Sequence, residues 1–182
     1  IMALADALVG DETGPGREGP LPRLVRTDSD GLVESLGAQV VTLLDELGNP
    51  HIAVVVRHRD DVRPIQAVLG DILDGITDVR RGHNKNFAFC PGVTVTNYRQ
   101  IKGLEFDAVI VLEPSEQSYP PDEQGTRNLY TTVTRARDRL LFVATAPLTP
   151  VLALALEEGR LDGHPEEVVP ELDLEDLDLP LY

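Results

Sequence analysis

A length of 182 residues fits one ordinary domain with appendages, and a hydrophobic share of 42% excludes wholesale disorder. Sixteen Lys and Arg against 31 Asp and Glu leave a net charge of −15, which argues against a free-standing protein that coats DNA through a basic face. One cysteine, Cys90, excludes an internal disulfide framework, and four scattered histidines (His51, His58, His83, His164) lack the spacing of zinc ligands, so no metal site is expected. Aromatics are 4% with no Trp, so Leu, Val, Ile and Ala must build the core. No apolar run approaches the roughly 20 residues of a membrane helix. The first residues, Ile1 to Asp6, lack the basic stretch of a signal peptide. A soluble cytoplasmic domain is the expectation.

In chain order, residues 10–22 hold four Gly and three Pro and read as linker, so 1–22 are expected to be an N-terminal segment. Leu24-Val25-Arg26 reads as a short strand. Leu32, Leu36, Val40, Leu43, Leu44 and Leu47 then recur at helical spacing behind Asp28, Ser29 and Asp30, which offer the N-cap. His51–Val56 is an apolar run of strand length, as for a strand covered on both faces. Asp60 and Asp61 precede a second helix carrying Val62, Ile65, Leu69, Ile72 and Leu73, with Pro64 tolerable in its first turn. Further strands are expected at 93–97, 108–112 and 140–145, and helices at 126–137 and 149–158. From Glu157 onward ten acidic residues face one basic residue, so 159–182 are expected to form an acidic tail. Its alternating Glu171–Leu179 stretch reads as a solvated tail, an edge strand or a partner-binding segment. Strand–helix alternation with doubly covered strands implies an α/β fold, a parallel sheet with helices on both faces, over residues 23–158.

Three polar clusters fall near strand ends: Arg57, the run Arg99–Asp107, and Thr134–Arg139. Arginine suits phosphate because its planar fork offers paired donors and stays charged. The residues Thr94-Val95-Thr96-Asn97-Tyr98-Arg99-Gln100-Ile101-Lys102-Gly103-Leu104-Glu105-Phe106-Asp107-Ala108-Val109 resemble motif V of superfamily 1 helicases of the UvrD/Rep/PcrA type. The segment Arg127–Leu140, with Val133-Thr134-Arg135-Ala136, resembles motif VI. Ile52–Arg57 resembles motif IV, a strand ending in arginine. The resemblance covers roughly residues 24–147 and implies the second, RecA-like domain of such a helicase.

Residue by residue, the resemblance implies that Arg135 is a catalytic arginine finger for the γ-phosphate of ATP. It implies that Arg57, Gly103 and Glu105 join Arg135 in binding the nucleotide along one rim, with Gly103 allowing a close backbone approach. Thr96, Asn97, Arg99 and Lys102 are implied to touch single-stranded DNA. Departures accompany this. Val56 stands where the family often places an adenine-stacking aromatic, Arg99 replaces a usual histidine, and only about 20 residues (74–93) occupy the place of a large accessory insertion. The loop Arg80–Phe87 is locally basic and could meet a nucleic-acid backbone, or be an ordinary solvated turn.

The sequence contains no Gly-x-x-x-x-Gly-Lys-[Ser/Thr] loop, so it lacks its own Walker A cradle for phosphates. ATP and Mg²⁺ are therefore expected only in a longer parent, where an N-terminal RecA-like domain would hold the Mg²⁺. The implied partners are that domain and single-stranded DNA, with repair proteins or RNA polymerase as further candidates and no membrane. The alternative reading is a HelD-like relative that acts on RNA polymerase without unwinding DNA.

Overall fold

In the computed structural model, the structure describes residues 1–9, 19–83, 87–88 and 90–163. Eleven elements follow one another: α1 (Met2–Val9), β1 (Arg23–Arg26), α2 (Leu32–Leu47), β2 (His51–Val56), α3 (Val62–Ile72), β3 (Val79–Arg81), β4 (Gly92–Asn97), β5 (Phe106–Leu112), α4 (Glu123–Val133), β6 (Ala136–Ala144) and α5 (Pro150–Glu157). The six strands form one sheet in the order β1-β6-β5-β2-β4-β3, and every neighbouring pair is parallel.

Side-chain alternation explains why the strands are apolar throughout. Ala53 and Val55 point into one core with Leu129, Val133 and Leu152. Their neighbours Ile52, Val54 and Val56 point into another with Leu36, Val40 and Leu69. Helices α2 and α3 therefore cover one face, and α1, α4 and α5 the other. A strand sandwiched this way needs apolar residues at both parities. Each buried leucine contributes about 1.5–3 kcal/mol of transfer free energy.

Several elements differ from the expectation. The segment before the linker is helical: α1 packs Leu4, Ala5 and Leu8 into the core. The linker reading of 10–22 falls mostly on 10–18, outside the described residues. The expected helix over 126–137 runs from Glu123 to Val133 instead, and Ala136 already belongs to β6. Pairing decides this. Phe106 N donates to Arg135 O at 2.9 Å, and Ala136 sits in register with Phe106, so the sheet claims residues expected in the helix. Residues 79–81, read as loop, add β3 at the sheet edge. At the other end, Leu161 is buried and Asp162 bridges Arg23, so 159–163 belong to the packed body rather than to the tail. Residues 164–182 lie outside the described ones.

His51 opens β2 half-buried, with its ring edge on Phe106 and its Nε2 3.1 Å from Thr94 Oγ1. Burial, and secondarily the Arg80 charge, lowers its pKa below the ordinary 6.5, against an opposing pull from Asp107. Between the folded value and 6.5 the unfolded chain binds more protons, so stability falls on acidification through that window. Urea unfolding followed by circular dichroism should show this decline, and His51→Gln should flatten it relative to the parent sequence.

Among the described residues, no helix is long and apolar enough to cross a membrane.

Candidate functional site

The site is built on the turn that leaves β4. Asn97 Oδ1 accepts from Arg99 N at 3.0 Å, and its carbonyl accepts from Gln100 N at 3.0 Å, which reverses the chain. Tyr98 N donates to Val56 O and so brings the phenol beside the end of β2. There the Arg57 guanidinium lies 4.3 Å from the Tyr98 ring centroid. Arg99 lies 5.6 Å from that centroid, and its Nε donates to the phenol oxygen at 2.9 Å. Burial raises the Tyr98 pKa, but the Arg99 hydrogen bond and the two positive charges outweigh it and hold the phenol below its ordinary value. Tyr98 thus holds two guanidiniums close together despite their mutual repulsion. The Arg57 Nε is buried without a hydrogen-bond partner.

These side chains wall a cavity of about 600 Å³. Arg57, Tyr98, Arg99 and Lys102 form one side, and Gln124, Asn128 and Thr131 of α4 the other. Arg127 also lines it, but Glu123 holds it at 2.7 Å. Three cationic side chains with no carboxylate partner among the described residues fit a polyphosphate, and the unpartnered Arg57 Nε supplies a donor such a group would accept. Gln124 was not singled out in the sequence, and Tyr98 and Asn128 entered only inside the motif V and motif VI segments; only the adjacency of Tyr98 to Arg99 could have signalled their pairing.

Arg135 sits elsewhere along α4. It occupies the turn between α4 and the start of β6. Its Nε donates to Thr131 O at 3.1 Å, one Nη to Leu104 O at 3.4 Å, and the other to Thr134 Oγ1 at 3.1 Å. All three acceptors are neutral. By contrast Arg137 meets Asp107 at 3.4 Å, and Arg139 meets Glu46 at 2.9 Å. Among the described residues, no carboxylate compensates the Arg135 charge, and two N–H groups remain beyond those three contacts.

The four residues expected along one rim divide into two clusters. Arg57 follows the carboxyl end of β2, whereas Glu105 and Arg135 precede the amino ends of β5 and β6. Helix α4 joins the clusters: Thr131 lines the cavity, and its carbonyl holds Arg135. Glu105 is exposed. Gly103 has φ +82°, and a Cβ there would meet nothing within 4 Å, so its backbone angle is what asks for glycine. Thr96 is buried and donates to Gly82 O at 3.0 Å, so its side chain is withdrawn from any strand of DNA. Asn97 is buried as well, while Arg99 and Lys102 reach the cavity.

A second cavity of about 500 Å³ opens beyond the carboxyl ends of β2, β5 and β6, and Arg57 lines both. Glu113 on its wall has φ +51°, and its carboxylate accepts from Thr145 N at 2.9 Å. Among the described residues, no group of three His, Cys, Asp or Glu could hold a metal ion.

A six-stranded parallel sheet with helices on both faces defines the class: an α/β fold of the RecA-like kind. Residues 92–143, from β4 nearly to the end of β6, match the family of UvrD-like helicase C-terminal domains. The fold is similar to that of the C-terminal domain of a possible DNA helicase from Lactobacillus plantarum WCFS1, with 26% identity and a TM-score of 0.66 over 87% of this chain and 92% of that one. The chain is thus similar to UvrD-like helicase C-terminal domains, over residues 92–143 by its motif segment and over most of its length by its fold. Looser similarities are to a CRISPR-associated protein (10% identity, TM-score 0.49, 82% of this chain and 20% of that one) and to the Arterivirus nonstructural protein 10 helicase solved with DNA (14%, 0.44, 70% and 30%). No curated protein matches the chain.

Proposed function

We propose that this chain is the second RecA-like domain of an ATP-dependent superfamily 1 DNA helicase or translocase. In this reading it closes on an N-terminal RecA-like domain that holds the remaining phosphate ligands and Mg²⁺. Arg57 would hold the polyphosphate, with Gly103 and Glu105 on the approach to it. Arg135 would meet the γ-phosphate as the two domains close. Hydrolysis supplies the free energy for stepping along single-stranded DNA, and Asn97, Arg99 and Lys102 belong to the turn nearest that strand. Thr96 would serve by holding Gly82.

The observation that carries this reading is the charge of Arg135, held ready by three neutral acceptors on the turn where the finger of the resembling family falls. A charge that no described carboxylate meets, in so acidic a chain, suits an anion that arrives from outside.

The domain alone should show no ATP turnover and only weak binding of ATP and single-stranded DNA, because half of the phosphate ligands are missing and a charge of −15 repels polyanions. Phosphate-release assays on this chain and on the two-domain parent test it: turnover belongs to the parent only, and turnover by the isolated chain would overturn the reading. Unwinding of forked DNA by the parent separates a helicase from a HelD-like protein that acts on RNA polymerase.

A further inference from the structure

The sequence puts its densest acidic stretch and three of its arginines far apart, and the fold sets the distance between them. Where β3, the edge strand, meets the start of α3, a cleft of about 120 Å³ is lined by Arg59, Arg63, Arg81 and His83, with Gly82 also in its wall. No described carboxylate lines it. A Cβ at Gly82 would meet Phe87 Cε1 at 2.3 Å, and Thr96 donates to the Gly82 carbonyl, so that wall is fixed.

The partners of the arginines set this cleft apart. Among the described residues, five arginines pair with carboxylates. Five more hold backbone carbonyls, the Cys90 sulfur or the Tyr98 ring and hydroxyl. Arg59 meets only His83 Nε2, at 3.2 Å, and since an arginine can only donate, that nitrogen accepts. Arg63 and Arg81 are exposed and engage no described group. Beyond Gly163, by contrast, the sequence carries seven acidic residues and no Lys or Arg.

Register decides whether the two can meet. Asp162 bridges Arg23, and from Arg23 the row of paired residues runs through Leu141, Ile110, Val54 and Val95 to Arg81. Asp162 and Arg81 therefore stand at one level on opposite edges of the sheet, about 29 Å apart at roughly 4.8 Å per strand. A path over the carboxyl ends of the strands climbs about 10 Å further, from the level of Arg23 to that of Arg26. Extended chain reaches about 45 Å from Asp162 by Glu175 and about 55 Å by Asp178. Glu166 and Glu167, at about 15 Å, fall short.

We propose that Glu175, Asp176 and Asp178 dock on the arginine cleft of their own chain, an intramolecular strap across the carboxyl ends of the strands that closes the cleft to other anions. Carboxylates against guanidiniums make charge-assisted hydrogen bonds. Each such contact is weak at an exposed site, but within one chain the effective concentration is on the order of mM, so a few suffice together. Docking needs neither ATP nor a second domain, and so stands apart from the helicase reading.

The test is paramagnetic relaxation in the full ¹⁵N-labelled chain carrying Cys90→Ser and a nitroxide on Leu181→Cys. At low ionic strength the label should broaden the amides of Arg59, Arg63, Gly82 and His83. Raising salt from about 0.01 M to about 1 M, which shortens the Debye length from about 30 Å to about 3 Å, should remove that broadening. Arg59→Gln with Arg63→Gln and Arg81→Gln should remove it too, while amide positions elsewhere stay in place and report that the fold survives. No broadening at the cleft, broadening confined to the surroundings of β1 and Gly163, or broadening that survives the triple substitution would each overturn the proposal. A mixture of nitroxide-labelled ¹⁴N chain with unlabelled ¹⁵N chain identifies the occupant. Cleft broadening in that mixture equal to that within one chain would assign the cleft to the tail of a second copy and overturn the intramolecular strap.

Discussion

Arg135→Ala in the two-domain parent is expected to lower kcat for ATP hydrolysis by about 10³-fold or more while changing the KM for ATP far less. The reason is when the contact forms. Arg135 rests on Thr131 O, Leu104 O and Thr134 Oγ1, and in the proposed reading it meets a γ-phosphate only as another domain closes over it. An interaction completed in the transition state raises kcat, whereas one made equally in the ground state lowers KM. Arg135→Lys should restore little, because a compact ammonium lacks the planar fork. Arg137→Ala and Arg139→Ala are the controls, since each loses a partly exposed ion pair with Asp107 or Glu46 worth at most about 1 kcal/mol of stability. Steady-state turnover with saturating single-stranded DNA compares the three. Equal losses would show a structural basic cluster in place of a finger.

Gly125→Ala is expected to destabilise the domain by about 3 kcal/mol or more, through overpacking against backbone. Gly125 lies in the first turn of α4, where its amide donates to the N-cap carboxylate of Asp122 at 2.6 Å. A Cβ at this position would sit 2.0 Å from Pro120 O and 2.8 Å from Pro120 N, and backbone cannot swing aside as a flexible side chain can. Thermal unfolding followed by circular dichroism should show Tm lower by about 10 °C, at roughly 2–4 °C per kcal/mol for a chain of this size. Gly103→Ala is the comparison: its φ of +82° costs about 1–2 kcal/mol, but nothing stands within 4 Å of the new methyl. A smaller loss at Gly125 than at Gly103 would mean that the α4 start relaxes away from Pro120.

The doubly covered strands were legible because burial on both faces writes itself as an unbroken apolar run. His51–Val56 coincides with β2, and the 93–97 strand gains only Gly92. Helices α2 and α3 were legible from their leucine and isoleucine spacing. The border of α4 and β6 was not, because Thr134–Arg139 carries no apolar period and its state is set by β5, about thirty residues earlier. Helix α1 is only eight residues long and owes its existence to packing on α4 and α5, which no local pattern records. The arginines were readable as phosphate ligands from their chemistry and from the motif resemblance. What Tyr98 does for Arg57 was not, since the two are far apart in the chain and meet only when β2 and β4 pair.

The two edges of the sheet carry a consequence for behaviour at high concentration. An open parallel sheet offers a row of unpaired backbone groups at each border, a template for joining another copy. At β1 the border is interrupted where Leu24 N donates to Asp162 O and Asp162 N donates to Pro22 O, so the chain covers its own flank. At β3 the strand is only three residues long, and two of them are Arg80 and Arg81. Like charges would face each other if two such borders approached, so the guanidiniums act as gatekeepers against stacking of sheets from different molecules. Neutralising them, by substitution or by high salt, removes that repulsion and favours self-association.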